Sequence, residues 1–105
     1  MGKIENIAAY SLDKYIDECK EDYVLVDVRD NSKFNQRHIK GAINLYYKEI
    51  MLGNYNLPKD KIIILYCDRG GLSMQVARYL SERDYNVKNV VGGLKEYTIE
   101  KNKNG

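Results

Sequence analysis

The chain has 105 residues, enough for one domain with its own core. Its 17 basic and 15 acidic residues are interspersed and leave a net charge of only +2, which argues against a general nucleic-acid-binding surface. Two cysteines and one histidine exclude a disulfide framework and offer no convincing zinc site.

Ile7-Ala8-Ala9-Tyr10 reads as a short first strand. Ser11 is placed to cap a helix in which Leu12, Tyr15, Ile16 and Cys19 follow at i, i+3, i+4 and i+7, so Cys19 belongs to an apolar packed stripe. Tyr23 to Val28 is rich in β-branched residues and reads as a strand buried on both faces. Phe34 to Ile39 looks like one irregular turn, and Gly41 to Leu45 like a short strand. Tyr47, Ile50 and Met51 mark a turn or two of amphipathic helix ended by Gly53-Asn54. Pro58, the single proline, precedes a strand at Ile62 to Tyr66. Met74, Val76, Ala77 and Leu80 define a helix from about Ser73 to Arg83, and Val87 to Val91 is a further strand. Gly92-Gly93 breaks it in a tight turn, Leu94 to Glu100 forms a last short helix, and Lys101 to Gly105 is a polar, disordered tail. Strands alternate with helical segments, which predicts an α/β domain over residues 1–100, with a mostly parallel sheet covered by helices on both faces.

The N-terminal residues Met1 to Asn6 lack the apolar stretch of a signal peptide and the sixth-position Ser or Thr of a myristoylation site. No apolar run approaches the length of a membrane span. A reducing cytoplasm is therefore the expected location, with free thiols, no membrane and no nucleic acid among the partners.

Cys67 closes the most apolar run of the chain and is followed at once by Asp68-Arg69-Gly70-Gly71-Leu72-Ser73 and then a helical pattern. A buried strand thus carries a thiol to its carboxyl tip, where ligands bind in open α/β sheets, and a helix N-terminus points at it. Backbone N–H groups and the positive helix end favour a thiolate there. The N–H groups of residues 68 to 73 can form an anion-binding nest, for which Gly70 and Gly71 provide positive φ. Arg69, two residues after the thiol, can hold an oxyanion in a bidentate fashion.

Val26-Asp27-Val28-Arg29, Phe34 and His38-Ile39-Lys40-Gly41-Ala42-Ile43-Asn44, followed by Tyr66-Cys67-Asp68-Arg69-Gly70-Gly71-Leu72-Ser73 and Gly92-Gly93-Leu94, resemble a single-domain rhodanese over roughly residues 4 to 100. The resemblance implies a rhodanese-like fold with a sheet of about five strands and a sulfurtransferase activity without cofactor or metal. In that family the loop cysteine, here Cys67, takes a sulfane sulfur from a small-molecule donor such as thiosulfate or a persulfide. It passes the sulfur to cyanide or to a protein or low-molecular-weight thiol. By the same analogy Asp27 and Arg29 brace the site. His38 is read as a hydrogen-bonded structural residue, since a thiolate nucleophile needs no general base.

The chain departs from the family pattern at several positions. Leu72 stands where many members have an arginine just before the final serine, so the loop's cation is Arg69. Lys33 replaces a common acidic residue, Arg37 a common glycine before the histidine, and Tyr97 a tryptophan after the glycine pair. These changes weaken the expected recognition of thiosulfate, which depends on cations at the mouth. Two rival readings are a non-catalytic interaction module on the same fold and a cysteine-dependent phosphatase or arsenate reductase. The latter needs an arginine six residues after the thiol, where this chain has Ser73.

Overall fold

The computed structural model describes residues 2–19 and 22–104. Strand β1 (Ile4–Ala8) leads through a 3-10 turn (Ala9–Ser11) into helix α1 (Leu12–Glu18). Then come β2 (Tyr23–Asp27), α2 (Asn31–Gln36), β3 (Ile43–Asn44), α3 (Tyr47–Met51) and β4 (Ile62–Tyr66). Helix α4 (Gly71–Ser81), β5 (Val87–Val91) and α5 (Gly93–Asn104) complete the order. The strands form one five-stranded sheet in the order β1-β5-β4-β2-β3, and every pairing is parallel.

The sheet divides the core into two layers because successive side chains of a strand point to opposite faces. Ile63 and Leu65 of β4 pack with Ile50 of α3 and Val76, Ala77 and Leu80 of α4. Ile64 and Tyr66 pack on the other face with Leu12 of α1 and Leu94 of α5. Strand β4 is therefore apolar at every position, as a central parallel strand must be. Each fully buried Leu, Ile or Val contributes about 1.5–3 kcal/mol through the surface it removes from water.

Because all strands run the same way, their carboxyl ends share one edge. Asp27, the last residue of β2, pairs in register with Tyr66, the last of β4, and with Asn44 of β3. Val28 N donates to Tyr66 O, and so extends that ladder by one bond (3.1 Å). Cys67 and Gly92 follow directly from this edge, and Arg29 one residue further on.

Several local expectations are corrected. The first strand lies at Ile4–Ala8 rather than 7–10, because Ala9 to Ser11 turn into a 3-10 helix and Ser11 makes no capping bond. Phe34 to Ile39 is not an irregular turn: α2 covers Asn31–Gln36, started by the Asp30 carboxylate accepting from Lys33 N (2.9 Å). Such a cap is worth about 1 kcal/mol. No residue of α2 is buried, so apolar spacing could not reveal it. Helix α4 begins at Gly71, two residues early, behind Gly70. Cys19 is the half-buried C-cap of α1, since that helix ends at Glu18 before the stripe reaches it. Residues 101–104 continue α5 where a disordered tail was expected, with Lys101 Nζ bridging to Asp13 Oδ2 at 2.8 Å; Gly105 lies outside the described residues. Among the described residues no helix is long and apolar enough to cross a membrane.

Candidate active site

The thiol of Cys67 is buried (3% exposed) where β4 ends, and the following loop folds over it. Gly70 N–H donates to Sγ at 3.0 Å and Ser73 N–H at 3.4 Å. These are the two members of the 68–73 segment whose N–H groups reach the sulfur among the described residues. Gly70 can do so because its φ of +102° turns the chain sharply into α4. A Cβ there would also press on Gly92 N at 3.2 Å. Gly71 has no positive φ, contrary to expectation, and its α-carbon faces open space beside the cavity. Behind the sulfur, the thiol donates toward Ser73 Oγ (3.4 Å), and that hydroxyl donates to Asn89 Oδ1 at 2.6 Å. Asn89 is not among the site residues that the sequence points to. Its place two residues after Val87, hence on the same face of β5, is the signal the sequence offers.

Asp27 and Arg29 form a buried ion pair at the tip of β2. Arg29 Nε and NH2 fork onto the two carboxylate oxygens at 3.0 and 2.7 Å, and Arg29 N donates to Oδ1 at 2.9 Å. NH2 also donates to Arg37 O after α2, and NH1 donates to Asp68 Oδ1 at 3.1 Å. Asn44 Nδ2 bonds the carbonyls of Asp27 and Arg29 (3.0 and 2.8 Å) and ties β3 to the same point. Burial opposes the Arg29 charge, but the bonds and charges of Asp27 and then Asp68 outweigh it and raise the guanidinium above its ordinary pKa. Asp68 also takes Lys33 Nζ at 2.7 Å. Burial pushes its carboxyl up, yet the hydrogen bonds from Lys33 and Arg29 hold it below the usual carboxylate range. Lys33, one of the departures from the family pattern, is thus the partner of Asp68.

In front of the sulfur lies a cavity of about 360 Å³. Arg29, Lys33 and Arg69 line it, as do Asp30 and Asp68; the edge-to-face pair Tyr46–Tyr47 and Leu72 provide apolar wall. Leu72 is 38% exposed at the mouth. Arg69 is exposed, and no ion pair to it is formed among the described residues. It also borders a second groove with Arg37 and Lys95.

Gly92-Gly93 is a close-approach device. At Gly93, with φ +62°, a Cβ would sit 2.4 Å from Cys67 O. Its absence lets the start of α5 donate Leu94 N to Cys67 O (2.8 Å) and Lys95 N to Asp68 O (3.0 Å). His38 is away from the thiol's contacts: it is exposed, stacks on Phe34 at 3.8 Å and bonds Phe34 O through Nδ1 at 2.8 Å. Tyr97 donates to Asp13 Oδ1 (2.8 Å), and burial with that partner pushes its phenol up to about 12. The site therefore joins a thiol, two aimed N–H donors and a hydroxyl with a ring of mixed charge.

A model of the rhodanese-like domain matches residues 8–100. The thiosulfate sulfurtransferase GlpE of Coxiella burnetii is 30% identical over 108 aligned residues, covering 97% of this chain and 96% of that protein. The putative sulfurtransferase YtwF of Bacillus subtilis is 32% identical, covering 88% of each. A tRNA sulfurtransferase of Desulfurococcus amylolyticus is 34% identical over 89% of this chain, which spans only 18% of that longer protein. Among solved structures, a rhodanese-related protein of Thermoplasma volcanium superposes with a TM-score of 0.81 at 26% identity, covering 91% of this chain and 92% of the other. With the parallel sheet and the thiol loop at its carboxyl edge, these matches place the chain in the rhodanese-like domain family, among relatives named as sulfurtransferases.

Proposed function

We propose that the protein transfers sulfur through a persulfide on Cys67. The observation that carries this reading is the Cys67 sulfur under the N–H groups of Gly70 and Ser73 at the mouth of a cavity. The Cys67 thiolate attacks the outer sulfur of the donor. The donor's S–S bond breaks, and the leaving group, sulfite from thiosulfate or a thiolate from an organic persulfide, departs with the electron pair. The Cys67 persulfide anion is held by the two N–H groups and the positive end of α4. An acceptor thiolate or cyanide then attacks the outer sulfur and restores the Cys67 thiolate. Asp68, Arg69, Gly70, Gly71, Leu72 and Ser73 form the persulfide-binding loop; Asp27 and Arg29 support it from β2. No metal or cofactor takes part, and the reading keeps a cytoplasmic location.

The charge around the cavity bears on the donor. Arg29, Lys33 and Arg69 are opposed by Asp30 and Asp68 on the wall and by Asp27 behind Arg29, three against three. A dianion such as thiosulfate finds little net positive charge there. An organic persulfide, with one charge and an apolar body, suits Leu72 and the two tyrosines better.

In a sulfur-transfer assay with cyanide or a thiol as acceptor, Cys67→Ser should abolish turnover while leaving the unfolding midpoint nearly unchanged. The parent should not hydrolyse aryl phosphates, since Ser73 occupies the position of the phosphatase arginine and is turned inward to Asn89. Phosphate hydrolysis that disappears in Cys67→Ser, without sulfur transfer in the parent, would defeat the proposal.

Arg69→Ala should lower kcat/KM for thiosulfate by about 1.5–3 kcal/mol, the worth of a charge-assisted contact, and for an organic persulfide by clearly less. Leu72→Arg should improve thiosulfate use. Equal losses with both donors would show that Arg69 shapes the loop without reading the anion.

The depressed Asp68 carboxyl also predicts a pH effect. A carboxylate held low in the folded state contributes stability above its unfolded pKa of about 4, and loses it as pH falls through the lower folded value. Thermal unfolding should show the parent losing more stability than Asp68→Asn below about pH 4. The difference should stay under about 1 kcal/mol because Asp68 is half exposed. Parallel acid curves for the two proteins would contradict the Lys33–Asp68–Arg29 network as a source of stability.

A further inference from the structure

Behind Cys67, polar side chains run through an otherwise apolar layer. Ser73 is fully buried on α4 and Asn89 is 4% exposed on β5. Asn89 lies in register between Leu65 of β4 and Asn6 of β1, on the face that Ile63, Leu65 and Val87 fill with hydrocarbon. An amide buried there is costly unless every polar atom is bonded, and its bonds run in one direction; the Ser73 hydroxyl has a second, longer acceptor in Gly70 O (3.2 Å). The Cys67 thiol points to Ser73 Oγ (3.4 Å), the Ser73 hydroxyl to Asn89 Oδ1 (2.6 Å), and Asn89 Nδ2 to Asn6 Oδ1 (3.3 Å).

That direction suits a neutral thiol. A thiolate or persulfide only accepts, so the Ser73 hydroxyl must then turn its one proton to the sulfur. The contact of 2.6 Å between Ser73 Oγ and Asn89 would then set two acceptors against each other. A half-turn of the Asn89 amide removes the conflict by presenting Nδ2 to Ser73. A half-turn of the Asn6 amide then donates to Asn89 Oδ1. No proton travels along the chain and no covalent bond changes. An amide accepts in one orientation and donates in the other while keeping its shape, a property that Val or an ionised Asp at position 89 would lack.

We propose that Asn89 is a positioning residue for sulfur transfer: its amide reverses when the Cys67 sulfur becomes an anion, and so moves the Ser73 hydroxyl from Asn89 to the sulfur. Gly70 and Ser73 N–H are fixed donors to Sγ, and the hydroxyl is the adjustable one. This inference rests on Cys67 as the sulfur carrier.

Asn89→Asp keeps size and acceptor but removes the donor, so the hydroxyl stays on the carboxylate. At neutral pH the thiolate absorbance and the rate of alkylation by iodoacetamide should fall, the rate by about tenfold or more, with kcat for sulfur transfer reduced more than KM changes. In a Ser73→Ala background the same substitution should add less than about threefold, since Asn89 acts through the hydroxyl. Asn6→Asp, at an exposed position that does not threaten folding, should slow alkylation in the same direction, whereas Asn6→Ala should stay within about twofold of the parent. Equal losses with and without Ser73, or unchanged alkylation in Asn6→Asp, would overturn the proposal. Alkylation needs no sulfur donor, so these outcomes are distinct from a failure of the parent to carry sulfur.

Discussion

The Arg29 guanidinium holds together the parts of the site that the sheet alone leaves separate. It forks onto Asp27 at the end of β2, donates to the carbonyl of Arg37 that follows α2, and reaches Asp68, the residue after Cys67. A buried charge of this kind is tolerated only when its hydrogen bonds are met, and removing one partner of such a pair typically costs about 3–5 kcal/mol. That demand places the neighbouring elements: Asp27 at the strand tip, the residue after α2 with its carbonyl turned inward, and the thiol loop at bonding distance. Asn44 extends the arrangement to the edge strand by bonding the carbonyls on both sides of Val28.

The loop is clamped from the opposite side by backbone alone. Gly93 admits the first N–H groups of α5 to the carbonyls of Cys67 and Asp68. With Asp68 held in front by Arg29 and Lys33, little is left for the loop to do but present its N–H groups to the sulfur. Preorganisation of this sort is what an anionic sulfur intermediate requires, because donors already aimed at the charge need not reorganise during reaction. The same clamp consumes positive charge. Arg29 and Lys33 are both committed to carboxylates, which leaves Arg69 as the lining cation without a carboxylate partner among the described residues and makes the cavity's apolar wall the larger part of its character.

Much of this was legible in the residues. Strands β2 and β4 are visible as apolar runs, β5 through its valines at 87, 90 and 91, and α4 through the spacing of Met74, Ala77 and Leu80. The thiol's place at the junction of strand and glycine loop followed from local order alone. What escaped depends on contacts far apart in sequence or on polar bonds. Helix α2 buries nothing and is announced only by Asp30. The last residues of α5 stay helical beside the Lys101 bridge to Asp13, 88 positions away. The pairing of Lys33 with Asp68, and of Asn89 with Ser73, could not be inferred from spacing, since each joins elements that only the sheet brings together. Cys19 was placed in the core because its helix was read one residue too long.

The proposed reaction requires Cys67 to carry sulfur covalently. The most direct measurement is the intact mass of the protein after incubation with an organic persulfide donor, followed by peptide mapping. The expected result is a gain of one sulfur atom per chain, located on Cys67, absent in Cys67→Ser and reversed by a thiol reductant. An unchanged mass, or a sulfur added to Cys19 with Cys67 unmodified, would contradict it.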